Sequence, residues 1–318
     1  MLVVATICAS SLVACGSRVP ATRDLTSLRQ QTAVGDQRNT TRACALRSAF
    51  VAIASASRGA VACLTWLPPQ ARPTYFDNGA NGPWQVWFRA SAMVLDVGPA
   101  STPTPSGRIV ARIEMPHGYR VVVRQTGPTA MAATVAGAAG PIELLRLQEP
   151  RRATRRLAAT MRRIGDSLAI VPGNVPVSGK CPYGPLFAAM ATLAGSRHAL
   201  CPRWLPAAVS APTGVGGYGT SVVEFYGPHA GLPHVVFDWT RATAPPGKLT
   251  TTVLSRGHRV PIYFNPGLGQ ALFSNHYTAV VSSSPHGASF WVSWHLYYND
   301  RGKDLGALLH IIRSLAPA

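Results

Sequence analysis

The chain contains the hexapeptide Cys63-Leu64-Thr65-Trp66-Leu67-Pro68, and a related one, Cys201-Pro202-Arg203-Trp204-Leu205-Pro206, follows it at an offset of 138 residues. The Cys, Trp, Leu and Pro of the two hexapeptides coincide. Further along, Gly118-Tyr119-Arg120-Val121 recurs as Gly257-His258-Arg259-Val260 at an offset of 139. An offset that drifts by one residue over such a distance predicts two copies of one domain.

The apolar spacing within each predicted copy indicates a helix at its start and another at its end. The starting helices carry Leu46, Phe50 and Ile53 in the first copy, and Leu186, Met190 and Leu193 in the second. The closing helices carry the stripes Leu157, Met161, Ile164 and Leu308, Ile312, Leu315. The β-like segments between them are 84–88, 108–114 and 119–124, then 221–226, 234–239, 248–255 and 259–264. This order predicts an α+β fold in which each copy is an antiparallel sheet with a disulfide-clamped N-terminal helix and a C-terminal helix packed on one face.

Length and composition agree with two domains of ordinary size. Of the 318 residues, 47% are hydrophobic and only 13% are charged, which is typical of a packed chain and not of a disordered one. We expect copy one to span residues 41–165 and copy two residues 180–318. Residues 166–179, which contain the sequence Pro-Gly-Asn-Val-Pro, are predicted to link the two domains.

Four of the six cysteines form one pair per copy: Cys44 with Cys63, and Cys181 with Cys201. Four cysteines allow three connectivities, but duplication favours pairing within each copy. A zinc site is the weaker alternative, because no C-x-x-C motif or nearby histidine pair completes a tetrahedral set. Disulfides indicate an oxidising compartment outside the cytoplasm.

Residues 1–14 are apolar or small, and no charge occurs before Arg18. This stretch is too short to span a bilayer and fits the hydrophobic region of a secretory signal. The sequence Leu12-Val13-Ala14-Cys15 resembles the lipobox of bacterial lipoproteins. The resemblance implies that residues 1–15 are a signal segment and that Cys15 is lipidated and anchors the protein to the membrane. The polar residues 16–40 are then predicted to be a flexible tether, and plain secretion or an uncleaved hydrophobic end remain alternatives.

The formal net charge is +18 and is carried almost wholly by arginine. It reflects either an Arg-rich base composition or attraction to a polyanion, such as an anionic envelope polymer or lipid head groups. The sharpest basic segment is the helix that closes copy one, with Arg151, Arg152, Arg155, Arg156, Arg162 and Arg163. A basic amphipathic helix can rest on anionic head groups, although a solvated face is the simpler interpretation. Nucleic acid is disfavoured as a partner, because no recognition motif accompanies the charge.

The motifs that mark common enzyme classes are weak here. Residues 214–219 match G-x-G-x-x-G, but a Pro-rich loop precedes them and a β-like run follows, which predicts a turn and not a dinucleotide site. Eight of the nine histidines lie in copy two, yet their spacing places no pair on one face of one element. The sequence therefore predicts no catalytic residues, no metal ligands and no cofactor. The alternative is an envelope hydrolase whose active site lies in the His-rich second copy, and it requires two of His258, His276, His286 and His295 to meet a carboxylate in a cleft.

Strand alternation along residues 290–297 places Trp291, Ser293, His295 and Tyr297 on one face. That face is aromatic but carries polar atoms at its tips. It could stack on a sugar ring, hold a peptide, or pack against another part of the chain. Trp291, His295 and Tyr297 are therefore the predicted binding residues.

The end of copy two, a Trp-bearing strand followed by a helix that ends Ile312-Arg313-Ser314-Leu315, is similar to the closing segment of several uncharacterised extracytoplasmic lipoprotein domains. Together with the lipobox, the paired cysteines and the repeat, it predicts a non-enzymatic protein. We expect a lipid-anchored binding or scaffolding protein on the outer side of the bacterial cell membrane.

Overall fold

Most of the described chain forms strands, as its content of Val, Thr and aromatic residues favours. The computed structural model describes residues 44–78, 83–100, 105–115, 118–137, 143–150, 154–174, 181–196, 199–207, 209–217, 220–228, 231–239, 245, 247–266, 275–282, 289–295 and 300–318. The helices are α1 Arg47–Ser57, α2 Thr154–Asp166, α3 Gly184–Leu193 and α4 Arg301–Ser314. The strands of the first half are β1 Val61–Leu64, β2 Arg72–Asp77, β3 Gln85–Ala90, β4 Met93–Pro99, β5 Arg108–Glu114, β6 Arg120–Gly127, β7 Ala130–Ala136, β8 Glu143–Gln148 and β9 Leu168–Val171. Those of the second half are β10 Leu200–Pro202, β11 Thr213–Gly217, β12 Thr220–Gly227, β13 Gly231–Asp238, β14 Lys248–Ser255, β15 His258–Asn265, β16 His276–Ser282, β17 Ser289–His295 and β18 Leu315–Pro317.

Fourteen of these strands form one antiparallel sheet, and the protein is of the α+β class. The order across the first half is β2-β3-β4-β8-β7-β6-β5, and across the second half it is β11-β12-β13-β17-β16-β15-β14. The remaining strands form two small antiparallel sheets, β1 with β9 and β10 with β18. The same order of elements therefore occurs in both halves.

The two halves share a single sheet because β2 pairs with β11. Asp77 lies opposite Val215 and Phe76 opposite Gly216. Beyond the strand, the Asn78 amide donates a hydrogen bond to the Gly214 carbonyl at 3.1 Å, and the Gly214 amide donates to Asn78 Oδ1. The sequence predicts one sheet per copy and not this junction. An unpaired strand edge leaves backbone hydrogen-bonding groups unsatisfied, and pairing β2 with β11 satisfies both inner edges at once.

The segment 166–179, predicted as a linker, contains strand β9. Its residues 168–171 pair with β1, so that Cys63 lies opposite Ala169. The apolar run Leu-Ala-Ile-Val explains the difference, because it is long enough for one short buried strand. At least part of the predicted linker therefore belongs to the fold of the first half.

The helices pack on one face of the large sheet, and the core lies between them. Helix α2 contacts β5, β6 and β7, helix α3 contacts β2, β11 and β12, and helix α4 contacts β14, β16 and β17. Phe187 of α3 packs edge-on against Phe237 at 4.9 Å between ring centroids. Helices α1 and α3 also contact each other. No described helix is both long enough and apolar enough to span a membrane.

Residues 214–217 of the glycine-rich stretch predicted as a turn belong to strand β11, and residues 218–219 lie outside the described residues. A Cβ atom on Gly214 would lie 2.7 Å from Leu186, and one on Gly216 would lie 2.7 Å from Leu193. Both leucines belong to α3. The glycines therefore let this helix approach the strand closely, which is a packing role and not a role in nucleotide binding.

The two closing helices, α2 and α4, can be aligned through the short strands that follow them. This alignment differs from the one that the order of their apolar residues predicts. In the strand registers, Cys63 lies opposite Ala169 in the first half, and Cys201 lies opposite Ala316 in the second. This alignment matches Ile164 with Ile311, whereas the order of residues in the two apolar stripes matches Ile164 with Leu315. A shift of about one helical turn keeps the same face apolar, so spacing alone does not fix the register.

Both predicted disulfides, Cys44–Cys63 and Cys181–Cys201, are present. Each joins the segment before a starting helix to the short strand that follows it, β1 or β10. In the chain-entropy model, closing a loop of about 20 residues stabilises the folded state by roughly 3 kcal/mol. The bridges thus hold α1 and α3 at the edge of the core.

Candidate binding surface

The face of the large sheet opposite the helices carries a row of four rings in the second half. No described helix packs on this face, and we call it the helix-free face. Tyr226 of β12 lies opposite His234 of β13, and His295 of β17 lies opposite His276 of β16. Because β13 and β17 are neighbours, the four side chains cross four adjacent strands. We call them the ring row.

The members of the ring row stack on one another. The ring centroids of Tyr226 and His234 are 4.5 Å apart, with 9° between the ring planes. His234 and His295 are 4.6 Å apart at 20°, and His276 and His295 are 5.0 Å apart at 35°. These spacings follow the distance of about 4.8 Å between neighbouring strands. The faces of the two inner rings, His234 and His295, therefore cover each other.

One carboxylate, Glu224, lies beside the ring row. Its Oε1 is 3.7 Å from His234 Nε2, and its Oε2 accepts a hydrogen bond from the Tyr226 hydroxyl. The contact with His234 is the main cause that lowers the pKa of Glu224; burial opposes it, and the Tyr226 hydrogen bond adds to the lowering. Glu224 therefore stays ionised and places negative charge next to His234. Burial, followed by the bond to Glu224, raises the pKa of Tyr226, so its hydroxyl remains a donor.

Two of the three predicted binding residues lie on this surface. Trp291 and His295 of β17 are both partly buried on the helix-free face, with Ser293 between them. The Ser293 hydroxyl is hydrogen-bonded to that of Thr278 at 3.0 Å. The third predicted binding residue, Tyr297, and the predicted lipidation site, Cys15, lie outside the described residues.

The first half has different side chains at the positions that match the ring row. The registers of the two half-sheets place Arg89, Val94, Gln148 and Ala130 where Tyr226, His234, His295 and His276 stand. The ring row is thus specific to the second half, although the strand order is shared.

Other side chains singled out by the sequence lie elsewhere. Trp204 stacks on His310 of α4 at 3.9 Å between centroids, and Trp66 lies under the Arg163 guanidinium of α2 at 4.3 Å. Each tryptophan is therefore packed by the closing helix of its own half, as a structural role predicts. His258 lies at the start of β15, beside a small cavity of about 90 Å³ next to Ser255 and Arg256, and not in the ring row.

Sequence reasoning missed Glu224, Tyr226 and His234 as parts of one surface. The signal that was present is their alternation: Glu224 and Tyr226 are two residues apart on one strand and therefore share a face. Their meeting with His234, His276 and His295 depends on the strand order β12-β13-β17-β16, which the sequence does not reveal.

The arrangement meets one condition of the hydrolase alternative, because His276 and His295 share a surface with Glu224. Three cavities among the described residues, of about 470, 390 and 90 Å³, are lined by other residues. Within the described part of the chain, no three side chains of His, Cys, Asp and Glu are grouped to hold a metal ion. Comparisons with protein-family models, curated proteins and solved structures found no match.

Proposed function

We propose that the protein is a lipid-anchored extracytoplasmic binding protein of the bacterial cell envelope, and that the helix-free face of its second half is the binding surface. The ring row is the observation that carries this proposal. Three imidazoles and a phenol ring side by side give this face an aromatic surface with polar atoms, which the matching positions of the first half lack. Trp291 and Ser293 extend the same surface along β17.

The charge of the chain supports an anionic ligand. A net charge of +18 attracts polyanions over a distance, while the ring row places aromatic rings with polar atoms on one surface. An anionic envelope polymer or an anionic lipid head group has the matching chemistry. The two disulfides support a location in an oxidising compartment.

The binding surface can be tested by co-sedimentation of the purified protein with isolated cell walls and with vesicles of anionic phospholipid. We expect the double variant Trp291→Ala/His295→Ala to lose at least tenfold in affinity for one of the two materials. The control Arg155→Ala/Arg156→Ala removes two exposed charges from α2, on the other side of the sheet, and should lower affinity no more than about threefold. A control that weakens binding as much as the test variant would assign the attraction to general charge and overturn the proposal.

The anchor can be tested separately. Acyl chains contribute about 0.8 kcal/mol per buried CH₂, so a doubly or triply acylated Cys15 would hold the protein on the membrane. We expect wild type to stay with membranes in about 1 M salt, where attraction between exposed charges is screened within about 3 Å. The variant Cys15→Ala should be released under the same conditions while both disulfide-bonded halves stay folded. Release of wild type would contradict the anchor and leave a secreted basic protein.

An envelope hydrolase is the second candidate, and it is favoured by the contact of His234 with Glu224 and by the position of His276 and His295 in the same ring row. The same co-sedimentation distinguishes it, because a hydrolase releases soluble fragments from the cell walls with time. Glu224→Gln would abolish such release. If no fragments appear over a long incubation with wild type, binding alone accounts for the surface.

We also propose that the two halves are copies of one domain, at about residues 41–165 and 180–318. The shared order of helices and strands supports this, as does the junction between the halves. Asp77 and Val215 occupy matching positions in the two halves and lie opposite each other. Phe76 lies opposite Gly216, and at the positions that match these two, Asn78 lies opposite Gly214. Such reciprocity is what a twofold axis through the junction requires.

A further inference from the structure

A second recess lies on the helix-free face, in the first half of the sheet. It has a volume of about 390 Å³ and is lined by residues of β6, β7 and β8 and by the segment before β5. Its floor is made of small or apolar side chains, among them Ala130, Ala132 and Leu144. At the positions that match Ala130 and Ala132, the second half has His276 and Thr278. The first half thus has alanines where the second half has larger side chains.

Arg146 lines this recess, and the register of the strands places a second arginine, Arg124, across Ala132 from it. Arg124 of β6 lies directly opposite Ala132 of β7, and Ala132 lies directly opposite Arg146 of β8. Directly opposed residues point to the same face of a sheet, so both arginine side chains rise from the helix-free face. Across two strand spacings their backbones are about 10 Å apart. That gap is wide enough for an oxyanion to lie between the two guanidinium groups.

The remaining walls offer neutral hydrogen-bonding groups. They are the hydroxyls of Ser106 and Thr126 and the amide of Gln148. A recess of this size falls in the range of small-molecule sites, about 300–1,000 Å³. Its mixture of an apolar floor, hydroxyl and amide walls and flanking arginines matches a ring or short chain that bears hydroxyls and a negative group.

We propose that this recess binds a sugar-sized, hydroxylated ligand that carries one carboxylate or phosphate group, with Arg146 and Arg124 contacting the anion. The site is separate from the ring row and does not rest on the function proposed above. Arginine suits this role because its planar guanidinium donates two parallel hydrogen bonds to a carboxylate or phosphate.

One negative group lies near the proposed anion position. Asp96 of β4 is directly opposite Arg146, on the side away from Ala132. Burial raises the pKa of Asp96, and the nearby Arg146 only partly offsets this effect. Asp96 is one negative group beside two arginines, and Arg124 lies two strands further from it than Arg146 does. The recess keeps a positive balance.

The proposal can be tested by calorimetric titration of the purified full chain with three probes of similar size: glucuronate, glycerol 1-phosphate and neutral glucose. We expect saturable binding of glucuronate or of glycerol 1-phosphate, and no saturable binding of glucose. Comparison of the first two probes shows whether the anion is a carboxylate or a phosphate. Arg146→Gln should weaken the binding of the better probe at least tenfold.

Two further variants make the result specific. Ala130→Leu fills the recess without changing any charge, and we expect it to weaken binding by a similar factor. Arg155→Gln removes an equal charge from the exposed side of α2 and should change affinity less than twofold. Saturation by neither anion, an Arg155→Gln effect as large as that of Arg146→Gln, or full affinity in Ala130→Leu would each overturn the proposal. Because none of these variants touches Trp291 or His295, failure here leaves the cell-wall experiment to decide the proposed function.

Discussion

Replacing Glu143 with glutamine is expected to raise the free energy of unfolding by roughly 3 kcal/mol at pH 7 and by little at pH 4. Glu143 begins β8, is 1% exposed, and its Oε1 accepts a hydrogen bond from the Ala62 amide at 2.6 Å. Burial raises the pKa of this carboxyl from 4.5 to about 8, although the Ala62 hydrogen bond acts in the opposite direction. In the folded protein Glu143 is therefore neutral at pH 7.

The direction of this pH dependence of stability follows from proton binding by Glu143. Between pH 4.5 and about 8 the folded state holds a proton on Glu143 that the unfolded state has released. The contribution of Glu143 to stability is thus fully present below pH 4.5 and is lost as the pH rises through about 8, at about 1.4 kcal/mol per pH unit. Glutamine keeps the acceptor for Ala62 but takes up no proton on folding. Its advantage should therefore grow from pH 4 to pH 8.

Urea unfolding of wild type and Glu143→Gln at several pH values measures this difference. Taking the variant minus wild type removes the pH dependence of other groups, such as Asp166, whose pKa is also raised by burial. Glu114→Gln is the matched control, because Glu114 is exposed on β5 and should show no such trend. A difference between Glu143→Gln and wild type that stays constant from pH 4 to pH 8 would show that Glu143 is ionised in the folded protein.

Trp294→Ala is expected to lower the free energy of unfolding by about 3–5 kcal/mol. The Trp294 side chain is fully buried in the core of the second half, and its Nε1 donates a hydrogen bond to Asp304 Oδ1 at 2.8 Å. Asp304 is itself fully buried in the first turn of α4. The substitution therefore leaves a cavity and also removes a donor from a buried carboxylate, which adds to the cost.

The same strand provides the control. Trp291 lies three residues earlier on the opposite face, where it is partly buried on the helix-free face. Trp291→Ala should cost only about 1 kcal/mol, because its side chain is outside the core. Urea unfolding at one pH compares the two variants. Equal losses would mean that both faces of β17 are packed alike, which would contradict the assignment of Trp291 to a binding surface.

The sequence predicted local elements well where their own pattern is sufficient. The segments 108–114 and 248–255 are strands with the predicted bounds, and both disulfides pair as the repeat requires. Helix α3 stops before Gly195, which adopts a φ of +78° and is suited to that position. These features depend on residues close together in sequence.

Features that depend on pairing between strands far apart in the sequence could not be predicted. Nothing in residues 72–77 indicates that they will pair with 213–217, because glycine-rich β11 has a weak strand pattern. The short strand β9 was hidden in a segment whose Pro and Gly residues are typical of a linker. The ring row likewise depends on strand order, so the contact between Glu224 and His234 could not be predicted from the sequence. Trp291 and His295 were predicted because they alternate along a single strand.

The β2–β11 junction lets the two halves accumulate different substitutions during evolution. Under the proposal that the two halves are copies of one domain, separate copies that met through this edge would be identical, and every substitution would appear on both sides at once. Within one polypeptide the partner edge is always present at high effective concentration, so the association survives sequence change in either half. Each half is then free to acquire its own surface chemistry. The imidazoles of one half and the arginines of the other, held on a single continuous sheet, are the asymmetry that such a covalent pairing permits.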